Sequence, residues 1–360
     1  MLELINVSKN VGRQAHISNA TLKLARGSLN VLLGPTLSGK TSLMRLMAGL
    51  DKPETGQIRM DGQDVTGVSV RHRGVAMVYQ QFINYPSMTV FENIASPLRL
   101  AGVGQADIDQ RVGEAARLLR LEPYLQRLPA NLSGGQQQRT ALARALVKRA
   151  GLVLLDEPLA NLDYKLREEL REELPRIFAQ SAAVLVYATT EPAEALLLGG
   201  NTGTLSEGRI TQFGPTAEVY RNPELLITAR TFSDPPLNVL AFNKHGPNFV
   251  SQNGLLLPVA RHFSHIADGP YQLAIRPHHL SIVPLSGHSV SLAGNVVVSE
   301  MTGSESFLHV QISDGRIIAL VRGVERHAPG DAIRLYVDPE KVLVFGVDGS
   351  ATGRFLSRAA

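Results

Sequence analysis

Gly34-Pro35-Thr36-Leu37-Ser38-Gly39-Lys40-Thr41 reads G-x-x-x-x-G-K-T, a phosphate loop. It lies between the apolar run Leu29-Asn30-Val31-Leu32-Leu33, a buried-strand candidate, and residues 41–50, where Leu43, Leu46, Met47 and Leu50 recur at helical spacing. Glycines let such a backbone curl until its N–H groups converge on phosphate oxygens, and the helix N-terminus adds partial positive charge. Lys40 is expected to neutralise the outer phosphates and the Thr41 hydroxyl to ligate Mg²⁺. The candidate phosphate-binding residues are therefore Gly34, Pro35, Thr36, Ser38, Gly39, Lys40, Thr41 and Ser42. A glycine turn with a chance lysine accounts for the spacing but not for the strand before it and the helix after it.

Outward from this loop the chain reads as α/β. Val75-Ala76-Met77-Val78-Tyr79, Leu152-Val153-Leu154-Leu155 and Ala183-Val184-Leu185-Val186-Tyr187 are further strands. Residues 86–150 read mostly as helix, clearest at 107–121 and 136–150, so a helical insert sits inside the α/β domain, taken as residues 1–235. The turn-rich stretch Ser233-Asp234-Pro235-Pro236-Leu237-Asn238 cannot continue a helix. Beyond it, residues 242–360 read as a small all-β, barrel-like domain, with strands near 272–275, 295–298, 307–312, 317–321 and 333–337 and a hairpin turn at Ser313-Asp314-Gly315. At roughly 150 residues per domain, 360 residues suit this two-domain division. The absence of cysteine excludes disulfides, thiolate catalysis and sulfur-ligated metal centres. A net charge of +4 over this length gives no case for nucleic acid as a partner. The first residues lack a basic segment followed by an apolar one, so no signal peptide is expected, and no apolar run nears the ~18 residues that span a bilayer.

Two further segments carry chemistry. Leu152-Val153-Leu154-Leu155 runs directly into Asp156-Glu157-Pro158, so a buried strand delivers two carboxylates to the sheet end where open α/β folds place ligands. Asp156 is expected to hold Mg²⁺, directly or through water, and Glu157 to polarise the attacking water. Leu132-Ser133-Gly134-Gly135-Gln136 opens the helix at 136–150. Ser133 and Gln136 fit a capping box that needs no ligand, whereas the paired glycines suit an anion such as a γ-phosphate docking on free N–H groups.

Together these residues resemble the ATPase subunit of ATP-binding cassette (ABC) transporters. The phosphate loop, Tyr79-Gln80 as glutamine loop, residues 132–136 as signature, residues 152–157 as the acidic strand, and Leu159-Ala160-Asn161-Leu162-Asp163 as the following loop stand in the family's order. Leu273-Ala274-Ile275-Arg276-Pro277-His278-His279-Leu280 resembles the I-R-P-E-H segment in the C-terminal domain of sugar-importer ATPases of the maltose-transporter type. The resemblance implies an ABC-type P-loop NTPase fold with a helical insert and a C-terminal OB/MOP-like (TOBE-type) domain for regulation or dimerisation. It implies two subunits arranged head to tail, with each ATP between the phosphate loop of one and Ser133, Gly134, Gly135 and Gln136 of the other. Gln80 would contact Mg²⁺ and the attacking water, and residues 80–93, which include Tyr85-Pro86-Ser87-Met88-Thr89-Val90-Phe91-Glu92-Asn93, would receive two membrane permease subunits. The implied activity is ATP hydrolysis driving import of a carbohydrate or polyol, glycerol and glycerol phosphate among them. It would run at the cytoplasmic face of the inner membrane, with a solute-binding protein as an indirect partner.

The sequence departs from the family at two contacts. Thr190 stands where the family has a histidine against the γ-phosphate, and no histidine occurs between His72 and His245. Val11 stands where an aromatic stacks on adenine, and the phosphate loop carries Thr36-Leu37 in place of Ser-Gly. Because the signature is intact while these positions are altered, we expect a heterodimer with a second, complete ATPase, the alternative being a homodimer that hydrolyses through Glu157 and Thr190. A soluble ABC ATPase without a transport role, and a nearly inactive ATP-binding partner, are the rival readings.

Overall fold

Every residue of Leu152–Asp156 and of Val184–Thr189 is buried, as is nearly all of Leu29–Leu33. Strands apolar on both faces need cover on both sides, the condition met inside a parallel sheet flanked by helices. The computed structural model describes residues 1–160, 162–179, 182–284 and 287–353. It divides into two compact units, Met1–Ala217 and Glu218–Ala360. In chain order the first contains β1 (Leu2–Val11), β2 (Gln14–Leu24), β3 (Leu29–Leu33), α1 (Lys40–Ala48), β4 (Thr55–Met60), β5 (Gln63–Asp64), β6 (Val75–Val78), α2 (Val90–Leu100), α3 (Gln105–Leu118), α4 (Gly134–Val147), β7 (Leu152–Asp156), α5 (Tyr164–Ala179), β8 (Val184–Thr189), α6 (Pro192–Leu198), β9 (Asn201–Ser206) and β10 (Arg209–Pro215); α7 (Thr216–Arg221) spans the division.

The main sheet runs β10-β9-β3-β8-β7-β6. All its neighbours are parallel except the edge hairpin β9–β10. Helices α2–α4 lie in sequence between β6 and β7, and their buried faces carry Ile94, Ile108, Val112 and Leu142. A second sheet, β2-β1-β4-β5, is antiparallel. It shares one apolar core with α1 and the main sheet, with Leu4, Ile17, Leu22, Leu43, Met44, Leu154 and Val186 among its buried members. This N-terminal antiparallel sheet is not anticipated by the sequence reading.

The second unit contains α8 (Leu226–Thr231), β11 (Asn238–His245), β12 (Asn248–Ser251), β13 (Leu256–Pro258), β14 (Gly269–Ile275), β15 (Leu280–Ser281), β16 (Val290–Met301), β17 (Glu305–Ile312), β18 (Gly315–Arg322), β19 (Ala332–Val337) and β20 (Leu343–Gly346). Two five-stranded sheets form, β13-β12-β11-β14-β20 and β15-β19-β16-β17-β18. Their inward residues, among them Phe242, Leu273, Leu292, Val310 and Leu335, make one core. Burial alternates along β11 and β17, the period-2 pattern of half-buried antiparallel strands. The all-β character expected for the C-terminal region is what this unit has, and Ile312 pairs with Gly315 across the hairpin turn.

Candidate nucleotide site

β3 ends at Leu33 and the chain turns through the phosphate loop into α1. Gly39 sits at φ 105°, and a Cβ there would come within 2.9 Å of the His16 carbonyl. A Cβ on Gly34 would lie 2.5 Å from the Leu205 carbonyl. Gly39 therefore requires glycine for both conformation and space, and Gly34 for space. Lys40 is buried, and its Nζ donates to the Gly34 and Pro35 carbonyls at 2.7 and 3.0 Å, which bends the loop over the side chain. Burial lowers its pKa, while Glu157 and Asp156 oppose that shift.

The parallel pairings bring β3, β7 and β8 out at the same sheet edge. Thr41 Oγ1 donates to Asp156 Oδ2 at 2.7 Å, joining the first residues of α1 to the end of β7. Gln80, just past β6, donates through Nε2 to Glu157 Oε2 at 2.9 Å. Glu157 has φ 46°, a left-handed backbone that re-aims the side chain as the strand ends, and its N–H donates to the Ala188 carbonyl at 3.0 Å. Burial raises the Asp156 pKa against the Thr41 hydrogen bond and Lys40. Burial also raises that of Glu157, where Lys40 opposes and Asp156 and Glu194 add to the rise. Lys40, Thr41, Asp156, Glu157 and Gln80 are thus brought together.

The remaining candidates occupy separate places. Ser133 caps α4, its hydroxyl accepting from Gln136 N at 3.4 Å and its N–H donating to Gln136 Oε1 at 2.9 Å, so the capping box is complete. Gly134 and Gly135 form the first turn of α4. Val11 ends β1 and is 55 % exposed. Ser42 lies on α1 with its hydroxyl 3.3 Å from His16 Nδ1. Thr190 is exposed and directly follows Thr189, whose carbonyl accepts from Gly34 N at 3.3 Å. Asn161, in the loop after the acidic strand, lies outside the described residues.

The loop after Gln80 is tethered to the helices. Asn84 Nδ2 donates to the Gln137 carbonyl at 2.9 Å, and Arg144 donates to the Ile83 carbonyl and lies 5.1 Å over the Tyr85 ring. The fully buried Asn93 accepts from Tyr85 N at 2.8 Å and donates to the Tyr85, Met88 and Thr89 carbonyls.

Sequence reasoning missed a buried polar group behind β8. Glu194 Oε2 accepts from Thr189 Oγ1 at 2.6 Å and Tyr187 Oη at 3.1 Å, and Oε1 accepts from Arg171 Nη2 at 3.0 Å. The available signal was the polar pair Tyr187 and Thr189 in an otherwise apolar run.

The residues fit a nucleoside triphosphate. Among the described residues, Ser38 Oγ is buried without a partner, and the N–H groups of Leu37, Gly39, Lys40 and Thr41 have no backbone acceptor. No cluster of three or more His, Cys, Asp or Glu residues able to hold a metal occurs among the described residues. A Mg²⁺ held by one carboxylate, a hydroxyl and phosphate oxygens needs none.

A buried lysine, a loop of free N–H donors and two carboxylates on one edge of a parallel sheet define a P-loop ATPase. A family model described as ABC transporter matches residues 17–160, and one described as TOBE domain matches residues 273–345. The chain is 36 % identical over 334 residues to the sn-glycerol-3-phosphate import ATP-binding protein UgpC of Yersinia pestis, covering 92 % of this chain and 93 % of that protein. It is 34 % identical over 336 residues to the protein of the same name from Escherichia coli strain UTI89, covering 93 % and 94 %. A solved structure described as a dimeric post-hydrolysis state of the ATP-binding cassette MJ0796 bound to ADP and Pi superposes with TM-score 0.56 at 28 % identity, covering 60 % of this chain and 99 % of that one. The chain belongs to the family of ATP-binding subunits of ABC importers, and it is an ATPase.

Proposed function

We propose that this chain hydrolyses ATP to power uptake of sn-glycerol-3-phosphate or a closely related polyol phosphate, as a peripheral subunit on the cytoplasmic face of a membrane transporter. The substrate class is supported by similarity over more than nine-tenths of the chain to two import proteins of that name. The hydrolytic reading rests on the convergence of Lys40, Asp156, Glu157 and Gln80. Among the described residues no helix is long and apolar enough to cross a membrane; in this reading membrane subunits supply the path.

In this reading the loop N–H groups and Lys40 bind the phosphates and hold them against the sheet edge. Thr41, Asp156 and Gln80 would hold Mg²⁺, which when bound neutralises phosphate charge during in-line transfer. Glu157, raised in proton affinity by burial, accepts a proton from the attacking water while Gln80 Nε2 fixes one of its oxygens. Thr190 donates a hydrogen bond to the transferring phosphoryl group but carries no charge to it. Ser133, Gly134, Gly135 and Gln136 of one copy bind the same nucleotide as the phosphate loop of another, so ATP favours the closed pair because only there does it touch both. Val11 offers apolar contact to adenine without a ring to stack on it.

The expected second kind of ATPase subunit finds no support in the relatives, and we propose a pair of identical chains in its place. The physical reason is that losing the imidazole at 190 leaves Lys40, Asp156, Glu157 and Gln80 together on this chain. Communication with the membrane subunits runs from Glu157 through Gln80 into residues 80–93, where Asn84, Arg144 and Asn93 tie the loop to α4 and α2.

The test is ATPase activity of the complex reconstituted with its membrane subunits and solute-binding protein. Stimulation by sn-glycerol-3-phosphate, abolished by Lys40→Ala, is the expected result. Stimulation only by unrelated solutes would overturn the substrate assignment, and undiminished turnover in Lys40→Ala the hydrolytic one.

A further inference from the structure

We infer that Glu194, on α6 and outside the phosphate-binding loop, is a positioning residue for hydrolysis: it locks the end of β8 in register with the phosphate loop and Glu157. The inference rests on the reading of Glu157 and Thr190 as hydrolytic residues.

The end of β8 touches the nucleotide site twice through its backbone. The Ala188 carbonyl accepts from Glu157 N at 3.0 Å, and the Thr189 carbonyl accepts from Gly34 N at 3.3 Å. Ladder pairing stops there, since Leu33–Thr189 and Asp156–Ala188 are the last partners of β8 on its two sides. Thr190 is the first residue beyond the ladder, so side chains must hold it. Thr189 Oγ1 does this by donating to Glu194 Oε2 at 2.6 Å while accepting from Glu191 N at 3.0 Å, which fixes the backbone on both sides of Thr190. Glu194 is itself held, 4 % exposed, by Tyr187 Oη and by Arg171, which reaches from α5 and also pairs with Glu168 and Glu191. The carboxylate is therefore an anchor with a compensated charge, and its pull is delivered at a strand end that contacts both the phosphate loop and Glu157.

A buried ion pair that only stabilises the fold would behave differently from an anchor on the reacting geometry. Displacing catalytic groups by about 1 Å costs turnover roughly 100-fold, whereas phosphate binding by Lys40 and the loop N–H groups is left in place. The experiment uses the full chain assembled with its membrane subunits, measuring kcat, KM for ATP and melting temperature. Glu194→Gln is expected to lower kcat roughly 10- to 100-fold with KM for ATP within about threefold of the parent. Thr189→Val, nearly isosteric and leaving Arg171–Glu194 paired, is expected to do the same, and Thr189→Ser to restore turnover. The Thr189 pair decides the matter if Glu194→Gln fails to fold. Turnover within about twofold of the parent in Thr189→Val, or no recovery in Thr189→Ser, would overturn the inference. Glu157→Gln is measured alongside: parental turnover in that variant refutes the assignment of the base, not the positioning, which stands or falls on the Thr189 pair.

Discussion

Thr190 and Leu37 are two residues at which this chain departs from the pattern of the family it resembles. Thr190 is exposed one residue past a carbonyl that bonds the first glycine of the phosphate loop, and in the proposed reading its hydroxyl faces the phosphates. A hydroxyl there donates one hydrogen bond; an imidazole adds a second nitrogen and, when protonated, a charge. Thr190→His is therefore expected to raise kcat at pH 7 by about tenfold or more with KM for ATP little changed, measured as phosphate release by the assembled complex. A fall in turnover would show that Thr190 is shaped for this site. Leu37 sits at φ 67° and is 96 % exposed. A left-handed backbone costs a β-carbon-bearing residue about 1–2 kcal/mol, and glycine escapes that while losing about 0.5–1 kcal/mol to a freer unfolded chain. Leu37→Gly should thus leave the melting temperature unchanged or raise it. A clear drop would mean the leucine packs against something in the assembled protein.

At the level of elements, the N-terminus of α4 carries a serine that caps the helix and that the proposed function also places against a partner's nucleotide. The hydroxyl of Ser133 already satisfies Gln136 N, so the cap is complete without a ligand. Asp caps helices as well as Ser does, but it places a negative charge where the phosphates of a partner's nucleotide would dock. Ser133→Asp is expected to keep the melting temperature within about 2 °C while abolishing ATP-driven pairing of two copies, read by sedimentation or light scattering with Glu157→Gln as background. Pairing that survives would return the segment to a plain helix cap. The sequence declared this element because Ser-x-x-Gln before an apolar-periodic helix is a local signal, as are the unbroken apolar runs of β3, β7 and β8. The antiparallel sheet of β1, β2 and β4 was not legible for the opposite reason. Asn6 and Asn19 adopt left-handed backbones, and the β1 pairings with β2 and β4 shift register, so the period-2 alternation breaks within each strand. Glu194 was hidden similarly, because its partners Tyr187, Thr189 and Arg171 come together only when α5 and α6 pack beside β8. What a run of residues encodes locally was readable; what depends on pairing between distant runs was not.

At the scale of the whole molecule, the second unit holds a buried basic cluster that bears on its response to acid. Arg276 is buried, lies 3.9 Å over the Tyr220 ring, donates to the Tyr220 carbonyl and leaves Nε without a partner among the described residues. His278 and His279 stack edge to face with centroids 4.5 Å apart, and the Tyr220 hydroxyl is 3.2 Å from His278 Nε2. Burial, then the charges of His278, Arg276 and Lys341, hold the His279 pKa down to about 3, against a hydrogen bond to the Lys341 backbone. His278 is lowered as well, by burial first and then by Arg276 and Lys341. In the unfolded chain these rings take up protons near pH 6.5. The unfolded state therefore binds more protons than the folded one below that pH, and stability falls as the pH drops from about 6.5 toward the folded value. Above pH 6.5 the contribution is flat. Denaturant unfolding of the full chain at pH 7.5, 6 and 5 should show the transition of the second unit weakening at the acid end, and His279→Gln should reduce that dependence. The resemblance to the I-R-P-E-H segment puts a glutamate where His278 stands, so the acid that would neutralise Arg276 is missing from this chain. His278→Glu restores it, raises the proton affinity of His279 and narrows the gap between its folded and unfolded pKa. The acid dependence should then flatten while stability at pH 7.5 holds or increases, and an unchanged slope in both variants would mean that groups elsewhere in the unit set its response to acid.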